Sequence, residues 1–316
     1  MAGIQGLKKK LKSIEATGKL SKALKTVATV KFSRLHQAWK TYSGYAKEYR
    51  PFIDLVSGAE IENKGPESLS EARELTVCIG SARGFCGGFN ANLAAFTKSQ
   101  LEMTSRESAE GCRPLLISAG EHFTRKLKEN GIDPDAELNL GEMPSFADTD
   151  RVIGACLETV AKFRDSSDDA SGINAGPLKI NVIYPVYKNS LLQIPEVLKL
   201  TYYPHGSEDS RLKARTRKNE SVLSPDRESA DEALWLPDRQ TVTEELSRKA
   251  FRTLLYGCIL ETALGAQAAT LAAMRSAYDA SREYSESLER EIQRRRQSQV
   301  TADVIEISSE RGQKGE

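Results

Sequence analysis

The sequence predicts an α/β protein with long terminal helices, in which an antiparallel two-helix coiled coil carries an inserted Rossmann-like open α/β domain. Two observations predict this fold: both ends of the chain are long, proline-poor and helically periodic, whereas the middle alternates short apolar runs with amphipathic stretches. The 316-residue chain is expected to divide into an N-terminal coiled-coil helix (1–57), an inserted α/β domain (70–203), a flexible insertion (204–240) and a C-terminal coiled-coil helix (241–310).

The first segment is predicted to form one long amphipathic helix from Gly3 to Ser57. Its only proline is Pro51, and apolar residues recur at spacings of three and four. This apolar stripe comprises Ile4, Leu7, Leu11, Ile14, Leu20, Leu24, Val27, Leu35 and Ala38. The stripe shifts phase near Thr17 and Gly18, so a local change of supercoil is expected there.

The last segment, from Thr241 to Ser309, contains no proline. A helix of roughly 65 residues reaches about 100 Å, which exceeds a compact domain, so the two terminal helices most simply pack on each other. Leu24 and Val27 are expected to face a C-terminal seam that includes Leu271 and Met274, and interleaved alanines allow close approach. Two ordinary bundle helices, broken by unrecognised turns, are the alternative.

The middle of the chain alternates strands and helices. Strands are predicted at 75–79 and 115–117, helices at 90–105, from Gly120 to near Gly131 and at 148–162, and a hairpin from strands 178–187 and 191–202 joined at Lys188–Asn189. Thr149 or Asp148 is the expected N-cap of the third helix. The alternation predicts a mostly parallel sheet with one antiparallel edge.

The stretch from Pro204 to Arg239 is rich in Ser, Asp, Glu, Arg and Lys. This composition predicts a mobile surface insertion that Trp235 anchors.

Composition excludes few functions. Hydrophobic residues make up 39% and charged residues 28%, which suits a soluble protein with long solvated helical faces. The first 50 residues are strongly basic although the net charge is only +1, which implies an acidic partner, a nucleic acid or a membrane surface. Without an apolar run of about 20 residues or a secretory signal, the chain is expected to stay in the cytoplasm.

Cysteine and histidine spacing predicts no metal. The five cysteines never form a CxxC pair, and the three histidines lie far apart. Free thiols and ordinary histidines are the expectation.

The glycine-rich stretch from Gly80 to Asn90 lies between a strand and a helix, where phosphate-binding loops occur. It lacks both GK[ST] and GxGxxG, so a tight structural turn built on Gly84, Gly87 and Gly88 is favoured over a phosphate site. Since GxSxG and HExxH are also missing, no catalytic residue and no cofactor are predicted.

Three segments resemble the gamma subunit of F-type ATP synthases. Residues 12–28 are similar to its N-terminal helix motif, Arg83–Asn90 (RGFCGGFN) to its RGLCGGLN turn, and 296–307 to its closing motif. The family commonly has methionine where Leu24 stands and glutamate where Asp303 stands. The turn and C-terminal helix also resemble the gamma subunit of the alternative, often sodium-linked ATPases. Residues 205–240 contain no cysteine, so the thiol switch of chloroplast relatives is not expected.

The resemblance implies a non-catalytic rotor shaft. Its implied partners are the alpha and beta subunits, the epsilon subunit and the c-ring, at the cytoplasmic face of the bacterial inner membrane. Arg296, Gln297 and Thr301 match positions that contact an acidic catch loop of a beta subunit, although a solvated basic run at 294–296 is the alternative. The residues themselves leave three other functions open: a coiled-coil scaffold, a nucleotide-binding Rossmann-like enzyme, and a nucleic-acid or membrane-surface binder.

Overall fold

A computed structural model describes residues 2–58, 74–107, 115–165, 178–202 and 239–313. The elements in chain order are α1 (Ala2–Gly58), β1 (Glu74–Ile79), α2 (Phe89–Glu107), β2 (Leu115–Ala119), α3 (Glu121–Glu129), β3 (Ala136–Leu138), α4 (Phe146–Asp165), β4 (Leu178–Tyr187), β5 (Gln193–Tyr202) and α5 (Arg239–Gln313). The predicted terminal helices are therefore confirmed to within a few residues. The predicted insertion, apart from its last two residues at the start of α5, lies outside the described residues.

Packing divides the chain into two compact units. One unit combines Met1–Val30 with Thr270–Glu316, and the other is Lys31–Ala269.

The first unit is a pair of packed helix segments with a regular seam. Buried and half-buried positions of α1 alternate at spacings of three and four: Ile4, Leu7, Leu11, Ile14, Gly18, Ser21, Lys25 and Ala28. The seam on α5 has the same rhythm: Met274, Tyr278, Ser281, Ser285, Leu288 and Ile292. A sustained seven-residue repeat of this kind is the pattern of a coiled coil.

The predicted phase shift near Gly18 is wrong, and so is the seam position of Val27. The heptad continues through Gly18, Ser21 and Ala28, whereas Leu20 and Val27 are 59% and 51% exposed. Large apolar residues leave the seam at this point and small residues replace them. The helices are close here, because a Cβ on Gly18 would lie 3.4 Å from the Ser281 Cβ.

The second unit contains a five-stranded sheet of order β3-β2-β1-β4-β5. β1 pairs in parallel with β2 and β4, β2 pairs in parallel with β3, and β4 pairs antiparallel with β5. The predicted mostly parallel sheet with one antiparallel edge is confirmed. The three-residue strand β3 was not predicted, because it has no apolar run of its own.

Strand β1 is buried on both faces, which explains its continuous apolar sequence. Leu75, Val77 and Ile79 lie in a core with residues of α4 and α5, including Val152, Phe251, Leu255 and Ile259. Cys78 lies on the other face, in a core with Leu93 of α2 and Phe123 and Leu127 of α3. The sheet is therefore the middle layer between helices.

In this unit α1 and α5 run antiparallel. Trp39 of α1 hydrogen-bonds Glu261, Tyr42 lies against Gly257, and the Tyr49 hydroxyl donates to the Leu246 carbonyl at 3.3 Å. Partner numbers on α5 fall as those on α1 rise, as an antiparallel pair requires.

Two local predictions are corrected. Ser145, not Thr149 or Asp148, is the N-cap of α4: the Asp148 carboxylate reaches back to accept from the Ser145 amide at 2.8 Å, a capping-box arrangement. β5 begins at Gln193 rather than Leu191, because Asn189 Oδ1 accepts from the amides of Leu191 and Leu192 and holds them in the turn.

Helix α5 includes a window, within Arg248–Glu306, that is long and apolar enough to cross a membrane by length and composition. More than half of that window is buried inside the protein, and buried core helices share this composition. The expectation that no apolar run approaches that length therefore did not hold for α5.

Candidate functional site

The glycine turn begins where the ends of β1 and β2 approach each other. The Gly80 amide donates to the Ala119 carbonyl at 2.8 Å. A Cβ on Gly80 would lie 2.1 Å from Phe123 Cγ, and one on Gly120, where φ is 110°, would lie 2.5 Å from the Gly80 carbonyl oxygen. Glycine is therefore required at both strand ends.

The three glycines predicted to shape the turn have different surroundings. Gly87 has a left-handed φ of 57°, and a Cβ on Gly84 would lie 2.8 Å from His122 Nε2. Gly88 has only ordinary contacts, the nearest at 3.7 Å to Asn92. Phe85 is also left-handed, with a φ of 64°, although its side chain is 69% exposed.

The Asn90 side chain closes the turn. Its Oδ1 accepts from the Ser81 amide at 3.1 Å, and its Nδ2 lies 3.2 Å from His122 Nδ1 and 3.5 Å from Cys86 Sγ. Burial raises the pKa of the Cys86 thiol, so Cys86 is kept as a thiol. The amides of Gly80 and Ser81 are both engaged inside the protein, which is the arrangement of a structural turn rather than an open anion site.

The turn packs on α5 through small residues. Cys86 and Phe89 form a cluster with Ala266 and Ala269. A Cβ on Gly265 would lie 3.2 Å from Phe89 Cε2. These contacts attach the start of α2 to the coil.

Glu142, in the loop before α4, adds an ionic connection that the sequence did not reveal. Its carboxylate pairs with Lys31 of α1 and with Arg83 of the glycine turn. The Glu142 side chain is only 15% exposed. Because Lys31 and Glu142 are 111 positions apart, no local spacing could have predicted this bridge.

The predicted contact residues Arg296, Gln297 and Thr301 are all exposed on α5. Thr301 Oγ1 donates to the Gln297 carbonyl at 2.9 Å, so the hydroxyl oxygen retains acceptor capacity. Arg295 pairs with Glu291 at 2.6 Å, whereas none of the described residues forms an ion pair with Arg296. The guanidinium of Arg296 is thus available to a partner.

Exposed apolar side chains lie beside these residues. Val300, Val304 and Ile305 are 55%, 59% and 62% exposed. Gln297, Val300, Thr301 and Val304 share one helix face, because they recur at spacings of three and four. A face that combines exposed valines with hydrogen-bonding groups is typical of a protein-interaction surface.

The predicted absence of a metal can be examined only where the chain is described. Cys78, Cys86, Cys156 and Cys258 are free and buried, while Cys112 falls outside that part. No group of three or more His, Cys, Asp or Glu side chains within the described ranges could hold a metal ion.

Fold and surfaces together define a class of protein: a two-helix coil that carries an inserted Rossmann-like domain and presents an interaction face near one end of α5. A profile of the ATP synthase family matches residues 3–310. The chain therefore belongs to the ATP synthase family.

Curated relatives specify the subunit that this chain resembles. An ATP synthase gamma chain of Nocardia farcinica is 26% identical over 317 residues, covering 97% of this chain and 96% of the relative. The gamma chain of Pelagibacter ubique is 27% identical over 314 residues, covering 98% of both chains.

Solved structures share the fold. A chain of the Euglena gracilis mitochondrial ATP synthase rotor superposes with a TM-score of 0.60 at 14% identity, covering 95% of this chain and 99% of the other. A chain of the OSCP/F1/c-ring assembly of the same enzyme gives a TM-score of 0.62 at 14% identity, covering 98% and 94%.

Proposed function

We propose that this chain is the gamma subunit, the central rotor shaft, of an F-type ATP synthase. The observation that carries the proposal is the family match over residues 3–310, together with relatives named as gamma chains that align over nearly their whole length. The subunit is not itself catalytic. Its rotation couples ion flow through the membrane ring to ATP synthesis or hydrolysis in the alpha/beta hexamer.

The two units have separate roles in this proposal. The coil of the first unit turns inside the hexamer, and the basic residues of α1 complement acidic surfaces there. The α/β domain, with the coil ends next to it, rests with the epsilon subunit on the c-ring. The complex holds the chain peripherally at the cytoplasmic face of the bacterial inner membrane, and cell fractionation would test this location.

Torque passes to a beta subunit through Arg296, Gln297 and Thr301. The exposed Arg296 guanidinium offers a forked donor set that matches a carboxylate. Gln297 and Thr301, one turn apart on the same face, add neutral hydrogen bonds. The neighbouring exposed valines supply apolar contact area.

The test is Arg296→Ala in the assembled complex. Loss of one charge-assisted hydrogen bond costs about 1.5–3 kcal/mol at the step where it forms, which is roughly 10- to 150-fold in rate if that step limits turnover. ATP hydrolysis by purified complexes of equal subunit content should fall accordingly.

Arg294→Ala is the matched control, because Arg294 is exposed in the same basic run. It should change turnover much less. Equal rates for both variants and the unsubstituted complex would mean that 294–296 is only a solvated basic segment.

A further inference from the structure

Glu261 is a buried carboxyl group that the proposed rotor mechanism does not use. It lies on α5 at the point where α1, α5 and the ends of β4 and β5 meet. Its Oε1 accepts a hydrogen bond from Trp39 Nε1 of α1 at 3.3 Å. Its Oε2 is buried and accepts no hydrogen bond of good geometry from any residue in the described ranges.

Aromatic packing holds the Trp39 donor in place. The indole packs edge-on to the Tyr187 ring with centroids 6.1 Å apart, and stacks on His36 at 6.1 Å. Leu35, Leu260 and Leu264 are almost completely buried in the same cluster. The Glu261–Trp39 contact is therefore the polar centre of an otherwise apolar junction between the two helices.

The groups that face Glu261 do not supply a full counter-charge. α1 contributes Trp39 and Tyr42, β4 contributes Tyr184, the Tyr187 amide and Lys188, β5 contributes Glu196, and α5 contributes Cys258. Burial raises the pKa of Glu261 and Glu196 raises it further, while the Trp39 and Tyr187 donors and Lys188 lower it. The net direction is upward, so the uncharged acid is favoured relative to an exposed glutamate.

We propose that the Glu261–Trp39 pair is a proton-dependent fastening between α1 and α5. With the carboxyl protonated, the junction is closed and its buried oxygen carries no charge. With the carboxyl ionised, one buried negative charge is left with a single indole donor and partial compensation, and the junction loosens.

The direction of the pH effect follows from proton linkage. The native state binds this proton more tightly than the unfolded chain, so the free energy of unfolding falls as pH rises above the ordinary glutamate value of 4.5. One such group changes the unfolding equilibrium constant by at most about tenfold per pH unit. Below the ordinary value the effect vanishes.

Trp39 itself provides the spectroscopic test, because the chain has only two tryptophans. In full-length protein carrying Trp235→Phe, the emission of Trp39 should titrate as a single proton between about pH 5 and pH 9. Adding Glu261→Gln keeps the shape of the side chain and should abolish the titration. A flat profile before that substitution, or an unchanged titration after it, would overturn the proposal.

Two further variants should move the transition in opposite directions. Trp39→Phe removes a donor to the carboxylate, so the fall in stability should move to higher pH. Glu196→Gln removes a negative charge, so the fall should move to lower pH. Urea unfolding followed by circular dichroism at several pH values measures both shifts, and shifts in the same direction, or none, would refute this assignment of the proton.

Discussion

Gly257 shows how closely α1 and α5 approach beside the sheet. A Cβ added at Gly257 would lie 2.1 Å from the Tyr42 hydroxyl oxygen and 2.5 Å from its Cζ. The Tyr42 ring is itself held by an edge contact with Tyr256, with centroids 5.8 Å apart. The missing side chain at Gly257 is what makes room for Tyr42.

We therefore expect Gly257→Ala to destabilise the protein. The tyrosine must move out of a packed position, and overpacking of this kind typically costs about 1–3 kcal/mol. Urea unfolding should show a lower midpoint for this variant.

Gly44→Ala is the matched control, since Gly44 is also inside a long helix but has nothing within 4 Å of its added Cβ. It should raise stability by roughly 0.5–1 kcal/mol, because alanine is the better helix former. If both variants shifted the midpoint in the same direction, the contact at Tyr42 would not decide the outcome.

At the residue scale, sequence predicts what is local and misses what is distant. The left-handed Gly87 lies in a turn that was expected from its glycine content and position. Glu142 and Glu261, by contrast, hydrogen-bond α1 across 111 and 222 positions of the chain. Nothing in the sequence near either glutamate marks it as different from a solvated charge.

Among the elements, the coiled-coil seam depends on small residues more than on large ones. The apolar residues of the sequence suggested a seam through Leu24 and Val27, with a phase shift at Gly18. Burial instead follows an unbroken heptad in which Gly18, Ser21 and Ala28 are buried and Leu24 is only half-buried. Small residues carry no periodic apolar signal, so the sequence pattern identified the helix but not its register.

This register predicts unequal effects of truncation on the two helices. Met274 is 8% exposed, so Met274→Ala removes buried contacts and should cost about 2 kcal/mol or more. Val27 is 51% exposed, and Val27→Ala should cost less than about 0.5 kcal/mol. Chemical unfolding of the two variants side by side checks the ranking, and a larger loss at Val27 would restore the register first inferred from sequence.

Strand and helix order in the α/β domain could be predicted because each element has its own pattern. β1 is a continuous apolar run since helices cover both of its faces, and α2 follows a recognisable turn. β3 was missed because three residues at a sheet edge bury too little surface to leave a signal. The α4 N-terminus was misplaced by three or four residues because Ser145 and Asp148 share the capping, and sequence could not rank them.

For the molecule as a whole, the chain divides between a coil and a domain that carries the sheet. Family membership extends over both, from residue 3 to residue 310. The segment between β5 and α5 is the part that composition alone describes. It is rich in charged and small polar residues, and its few large apolar residues concentrate at Leu234, Trp235 and Leu236.

We expect that most of this segment can be removed without loss of assembly. Deleting residues 208–230 leaves the apolar group around Trp235 in place and removes a stretch with little apolar surface to offset the entropy of ordering it. The shortened chain should enter the complex in normal amount, and its ATP hydrolysis should stay within about twofold of the unsubstituted complex, since 1 kcal/mol already exceeds that factor. Trp235→Ala in the full-length chain is the informative comparison: if Trp235 anchors the segment, this single change should lower the thermal midpoint more than the deletion does. Failure of the shortened chain to assemble would show that residues 208–230 make a required contact, and the segment would then belong to the working surface of the rotor.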